Sequence, residues 1–287
     1  MNNVIITGTS NGFGHLSALA FAEAGYRVWA TMRNANGSNR EPKELLEAAP
    51  GDIRVLDMDV ADDASVEAAV TQVIDVDSKV DVLINNAGIM YIGHTEAYSV
   101  EQAHEQMNVN YYGVIRTTQA VLPAMRRAGG GLIINTSSTA GRVAYPYFGT
   151  YGATKFAVEA YSQSLSYEMA PHGIDIAIVE PGPFPTNLIN SVQPEARRHV
   201  LDDYGPLKDV PAGMLAYFTD FFTTDAAPDN QLVVDAYLAL VAAEPGDRPT
   251  RTHVGIEHGV TEINRLTQPI QDNIVDELGL TAVLARP

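Results

Sequence analysis

Short runs that are apolar at every position alternate along this chain with longer stretches that are apolar on one face only. Val4–Thr7, Arg27–Thr31, Ile53–Leu56, Val80–Ile84, Leu132–Ile134 and Ile174–Val179 read as strands. Gly12–Ala24, Ser65–Val76, Val100–Arg127 and Tyr151–Ala170 read as helices, with Gly25 as a C-cap and Pro123 near the end of the long third helix. Continuous rather than alternating apolar strands are covered on both faces, and a helix between successive strands makes them parallel. The pattern therefore predicts an α/β protein with a doubly wound, Rossmann-type parallel sheet.

From Pro181 to Pro228 prolines recur and strand signals vanish, which predicts a helical substrate loop or lid over about 181–230. Within it, Tyr217, Phe218, Phe221 and Phe222 serve equally well as lid or as packing. Leu232–Ala243 reads as a further helix and His253–Ile256 as a last strand, followed by a short C-terminal extension. No linker or internal repeat divides the chain, so residues 1–287 are expected to form one domain.

Composition narrows the function. A net charge of −17 disfavours nucleic acid and anionic membranes as partners. No apolar stretch is long enough to span a bilayer, and Met1-Asn2-Asn3 runs into the first strand without an export signal. A cytoplasmic protein is the expectation. The absence of cysteine removes disulfides, thiol catalysis and thiolate metal sites, and the seven histidines show no metal-ligand spacing. No metal is expected.

Two patterns carry chemistry. Gly8-Thr9-Ser10-Asn11-Gly12-Phe13-Gly14 lies between the first strand and the first helix, where glycines let backbone amides approach a phosphate and the helix N-terminus favours negative charge. The same residues spell G-x-S-x-G around Ser10, the elbow of a serine hydrolase, with His253 and His258 among the downstream histidines. Only seven residues precede Gly8, which leaves no room for the upstream loop such an elbow uses. Tyr151 and Lys155 stand one helical turn apart on one face. A phenol titrates near pH ~10, and a neighbouring ammonium lowers that value, which suits proton exchange with a carbonyl or alcohol.

In this order and spacing the residues resemble the short-chain dehydrogenase/reductase family in its single-domain form. The resemblance rests on the glycine turn, Asn85-Asn86-Ala87-Gly88, Asn110, Ser138 thirteen residues before Tyr151, Lys155, and Pro181-Gly182 with Thr186. It covers about residues 3–190 with strong motifs. It implies hydride transfer between a nicotinamide and a carbonyl or alcohol carbon, with Tyr151 as general acid/base. Lys155 would lower the Tyr151 pKa and bind the ribose, Ser138 would hold the substrate oxygen, and Asn110 would hold a relay water. Gly8, Ser10, Asn11, Gly12, Phe13, Gly14, Asp59, Val60, Asn86, Ala87, Gly88, Tyr151, Lys155, Pro181, Gly182 and Thr186 would line the cofactor. A catalytically silent nucleotide sensor on the same fold and a serine hydrolase using Ser10 are the remaining alternatives.

NAD enzymes place an acid after the second strand to bind the ribose hydroxyls. Here Met32 occupies that place and Arg33 follows, so the family pattern implies NADP(H), with NAD(H) as second choice. Met90, Tyr91, Tyr145, Tyr147, Phe148, Phe184 and Leu188 would line a pocket for a small hydrophobic ketone, aldehyde or secondary alcohol. Family members pair through the two long helices, which implies a homodimer or homotetramer.

Overall fold

The computed structural model describes residues 2–286. Seven parallel strands form one sheet in the order β3-β2-β1-β4-β5-β6-β7. They are β1 (Asn3–Thr7), β2 (Arg27–Met32), β3 (Asp52–Asp57), β4 (Val82–Asn85), β5 (Gly131–Thr136), β6 (Ile174–Pro181) and β7 (Arg251–Val254). The helices are α1 (Gly12–Glu23), α2 (Arg40–Ala48), α3 (Asp63–Asp77), α4 (Val100–Met107), α5 (Gly113–Ala128), α6 (Gly149–Met169), α7 (Val210–Phe221), α8 (Gln231–Ala242) and α9 (Val260–Glu277).

Each strand feeds two cores because successive side chains point to opposite faces. Val4, Ile6, Val28, Ala30, Ile84 and Ile134 pack with Phe21 of α1 and with Val233 and Tyr237 of α8. Ile5, Trp29, Leu83 and Ile133 face the other way, onto Val66 and Val70 of α3, Val121 and Met125 of α5, and Leu165 of α6. This double burial explains why the strands read as unbroken apolar runs. The strand order reverses between β1 and β4, which opens a crevice at their carboxyl ends, where an open α/β sheet takes its ligand.

Four features differ from the sequence pattern. The stretch from Val100 to Ala128 is two α-helices joined by a π-turn over Asn108–Tyr112, not one helix. An extra residue in a helical turn rotates the next helix about its axis, so periodicity continues on either side while Asn110 is turned inward and buried. Helix α2 shows only Leu46 to the core, too little apolar signal to be seen in the sequence. The C-terminal extension is not short: α9 runs for 18 residues, with Pro269 inside it. The last strand begins at Arg251, two residues ahead of the apolar pattern.

Candidate active site

The glycine turn is built by close approach. Gly8 has φ +73°, and a Cβ there would lie 2.8 Å from the Ala87 Cα. A Cβ on Gly14 would lie 2.3 Å from the Gly8 carbonyl oxygen and 2.6 Å from Asn86 Nδ2. All three distances are inside van der Waals range, so only glycine allows the turn to close onto the segment after β4. Asn86 then staples that segment down: its Nδ2 donates to the Thr7 and Gly8 carbonyls at 2.9 and 3.1 Å. The Thr7 hydroxyl accepts from the Asn86 and Ala87 amides, each at 2.9 Å. Deeper, Asn85 Nδ2 donates to Asn135 Oδ1 at 2.8 Å, and Asn135 Nδ2 donates to Ser162 Oγ at 2.8 Å, which ties β4, β5 and α6 together.

A cavity of about 1160 Å³ opens above these strand ends. Gly8, Ser10, Asn11, Gly12, Phe13, Arg33, Asp59, Val60, Asn86, Ala87, Gly88, Pro181, Gly182 and Thr186 all line it, as do Ser138, Tyr151 and Lys155. Gly14 and Asn110, expected at the site, stand behind the wall. Gly14 shapes the turn as described. Asn110 spends both side-chain N–H donors on the protein, to the Ile89 carbonyl at 2.8 Å and Thr154 Oγ1 at 3.0 Å, and its Oδ1 accepts from the Ile89 amide at 2.8 Å. Its side-chain N–H groups therefore serve the loop after Gly88 and helix α6 rather than a relay water. The Thr154 hydroxyl donates onward to the Tyr151 carbonyl at 2.8 Å, so the Asn110 bonds reach the turn that carries Tyr151.

Tyr151 and Lys155 are buried, and Lys155 Nζ sits 5.8 Å from the centre of the Tyr151 ring. Lys155 Nζ donates to the Thr136 carbonyl at 2.8 Å. The Ser138 backbone is extended, and its Oγ accepts from the Ala140 amide at 3.1 Å while also bonding the Tyr151 side chain. Burial dominates the electrostatics. It pushes the Tyr151 phenol up to about 12, with the Ser138 bond pulling the other way. It brings Lys155 down to about 8, opposed by the charge of Glu159 one turn further on. The Tyr151 shift is set by burial and Ser138 rather than by the lowering expected from Lys155. Desolvation of the phenolate outweighs any such effect, because low-dielectric surroundings penalise the charged form of both groups.

Arg33 is exposed at the cavity rim, forms no ion pair among the described residues, and shares the rim with Ser38 and Asn39. Asp59 Oδ1 accepts from the Ala61 amide at 2.9 Å. Ser10 Oγ accepts from Asn11 Nδ2 at 3.3 Å, and among the described residues it bonds no histidine or carboxylate. Of the residues expected on the substrate side, Met90, Tyr145, Tyr147, Phe148, Phe184 and Leu188 line the cavity. Tyr91 does not. It is buried, and its hydroxyl donates to Glu105 at 2.8 Å. The aromatic run of α7 divides its work: Phe218 and Phe222 line the cavity, while Tyr217 is 64% exposed and stacks on Phe221.

Sequence reasoning missed a buried ionic cluster behind helix α6. Arg251 Nε donates to Glu159 Oε2 at 2.9 Å and lies 3.6 Å from Glu180 Oε1. Arg142 Nε donates to Asn264 Oδ1 at 2.8 Å, and Asn264 Nδ2 donates to Glu180 Oε2 at 2.5 Å. The sequence signal is Glu180, an acid directly after the apolar run 176–179 of β6. Among the described residues no group of three potential metal ligands converges, and no helix is long and apolar enough to cross a membrane.

The family model described as short chain dehydrogenase matches residues 2–197. The chain is 42% identical over 188 residues to a 3-ketodihydrosphingosine reductase of Bacteroides thetaiotaomicron, a match covering 66% of each chain. Matches to the curated relatives thus span about two thirds of those proteins' length or less. Among solved structures, a short-chain dehydrogenase from Streptomyces avermitilis superposes with a TM-score of 0.75 at 26% identity, covering 98% of this chain and 97% of that one. An alcohol dehydrogenase from Thermococcus sibiricus, solved with 5-hydroxy-NADP, superposes at 0.71 with 25% identity, covering 90% of this chain and 98% of that one. This chain belongs to the short-chain dehydrogenase/reductase family of oxidoreductases.

Proposed function

We propose that this chain interconverts a hydrophobic ketone or aldehyde and the corresponding alcohol, using NADP(H) in preference to NAD(H). The observation that carries the reading is the convergence of Ser138, Tyr151 and Lys155 in the same cavity as the glycine turn. A nicotinamide cofactor bound there would supply or accept the hydride. The residues present fit such a group: Gly8 and Gly14 keep the turn free of side chains, and the α1 N-terminus beside it offers backbone N–H groups to a pyrophosphate. Asp59 and Val60 would face the adenosine, and Asn86, Ala87, Gly88, Pro181, Gly182 and Thr186 the nicotinamide half.

The chain's own residues do the proton chemistry. Burial keeps Tyr151 protonated at neutral pH, so it is poised to donate to the oxygen of a carbonyl being reduced. Ser138 Oγ, fixed by the Ala140 amide, stabilises charge developing on that oxygen. Lys155 supplies positive charge beneath Tyr151 and a donor for ribose hydroxyls. Asn110 is a positioning residue for Ile89 and α6. The apolar wall that Met214, Phe218 and Phe222 give the cavity and the likeness to a 3-ketodihydrosphingosine reductase both support a long apolar ketone. Pairing of two copies through α4–α6 is supported by the exposed Tyr112 and Phe156 on those helices.

Arg33 has its guanidinium free at the rim, where a 2′-phosphate would find a charge-assisted partner. Arg33→Ala is expected to weaken NADPH binding about 10- to 100-fold while changing NADH binding by less than about threefold. Titration of nicotinamide fluorescence measures both. Equal losses would remove Arg33 from its assigned role.

A second expectation concerns pH. Lys155 loses its proton above about 8 in the cofactor-free protein. The kcat/KM for NADPH is therefore expected to hold steady at neutral pH and to fall about tenfold per unit above that point. Lys155→Met should abolish the break. A wild-type profile that stays flat up to about pH 10 would show that the Lys155 charge is not used.

A further inference from the structure

Taking Tyr151 as the proton donor, as proposed above, the cavity extends from it along a ladder of rings. Phe148 lies 6.3 Å from Tyr151 between ring centres, Tyr145 lies 5.8 Å from Phe148, and His258 lies 5.5 Å from Tyr145. Leu188, Met214, Phe218 and Phe222 complete an apolar wall in the same cavity. His258 breaks that apolar character at the end of the ladder. It comes from the loop between β7 and α9, well beyond the stretch matched by the family model.

Three observations set His258 apart. Its Nδ1 is 2.8 Å from the Tyr145 hydroxyl. A phenol is the better donor of the two groups, so the ring proton resides on Nε2, which has no hydrogen-bond partner among the described residues. Its backbone is held at φ +45°, a conformation that costs any residue but glycine. Tyr147, at φ +69°, carries the same strain in the same cavity. Finally, the helix that begins two residues later is anchored from below: Arg142 Nη2 donates to Thr267 Oγ1 at 2.5 Å, in addition to the Arg142–Asn264–Glu180 chain. The loop is therefore fixed at its C-terminal side by buried groups, and the imidazole is fixed by Tyr145.

We propose that Tyr145 and His258 form a polar stop at the far end of the cavity, and that the substrate is an elongated apolar ketone bearing a second, neutral oxygen at its distal end. The reacting carbonyl would lie at Ser138 and Tyr151. The body of the molecule would lie along Phe148 and Tyr145, and the distal oxygen would accept a hydrogen bond from His258 Nε2. Glu257 beside it and the chain's net charge of −17 weigh against a distal carboxylate.

The test uses matched methyl ketones: 2-decanone, 10-hydroxy-2-decanone and 9-oxodecanoate. Their dissociation constants for the full chain are measured by calorimetry, and their NADPH-dependent reduction is followed in parallel. Wild type is expected to bind the hydroxy ketone about tenfold more tightly than 2-decanone, and 9-oxodecanoate no better than 2-decanone. In His258→Ala and Tyr145→Phe the ratio should collapse toward one, and His258→Gln should restore part of it. His258 is exposed, so the substitution does not disturb the core. Equal binding of the two neutral ketones by wild type, a preference for the carboxylate, or an unchanged ratio in His258→Ala would overturn the proposal. Reduction of all three ketones without preference would sink the polar stop and leave the oxidoreductase reading intact. Selective binding without any reduction would keep the stop and sink that reading.

Discussion

Tyr151→Phe is expected to lower carbonyl reduction by about 10³-fold or more while leaving NADPH affinity within about threefold of wild type. The hydroxyl is the only part removed. The ring stays in its buried slot, 6.3 Å from Phe148, and Lys155 keeps its bond to the Thr136 carbonyl. Packing therefore survives and the proton donor does not. The expected split separates chemistry from folding: steady-state rates collapse, while the fluorescence titration with NADPH and the thermal unfolding midpoint change little. Ser138→Ala should act on the same step more weakly, because it removes a bond to the Tyr151 side chain and a donor to the substrate oxygen but not the proton itself. Near-normal turnover in Tyr151→Phe would show that some other group protonates the product, and the assignment of the whole trio would fall with it.

Tyr151 stands out in the sequence, but its electrostatic state does not, and the reason is physical. The helical spacing of Tyr151 and Lys155 requires only that α6 exist, and its apolar face makes that plain. The pKa of each group depends on what covers it. Cover comes from elements distant in sequence, and here burial wins over the mutual influence that spacing suggests. Gly8 and Gly14 are legible as a turn, yet the reason for Gly14 lies in atoms of Gly8 and Asn86 that only the folded chain brings within 3 Å of where a Cβ would stand. Asn110 is legible as a residue of interest. The π-turn that buries it is not, because an inserted helical residue leaves apolar periodicity intact on both sides. The strands are readable because both faces are buried. The amphipathic α9 escapes notice because most of its surface is solvated and Pro269 interrupts the pattern. With α9 go Asn264, Thr267 and Gln268, which bond Arg142 and Arg251, and so Glu180 alone does not reveal the buried cluster in the sequence.

That cluster gives the largest expected effect on stability. Arg251 holds two carboxylates that are almost wholly out of solvent: the side chains of Arg251, Glu159 and Glu180 are 7%, 3% and 0% exposed. Its Nη1 also donates to Gln163 and Gln268, at 2.6 and 2.8 Å. Among the described residues Glu159 Oε1 and Glu180 Oε1 have no hydrogen-bond partner, so the guanidinium is the main compensation for the Glu159 charge, and for Glu180 once it ionises. Burial, reinforced by Glu159, already raises the Glu180 carboxyl far above its ordinary value. Arg251→Met removes the cation and leaves the acids, and stranding buried charge in this way costs about 3–5 kcal/mol. Chemical denaturation near neutral pH measures it directly. The sign of the pH dependence comes from the raised folded pKa of Glu180. Its contribution is fully present below the unfolded value of 4.5 and is lost as pH rises toward the folded value of about 8. Removing Arg251 takes away a charge that opposes this shift, so the variant should go on losing stability to higher pH than wild type. Adding Glu180→Gln deletes the titrating group and should recover part of the loss, together with most of the excess pH dependence. An Arg251→Met protein as stable as wild type across that range would mean that water reaches the two carboxylates, and that α9 does not seal the floor beneath α6.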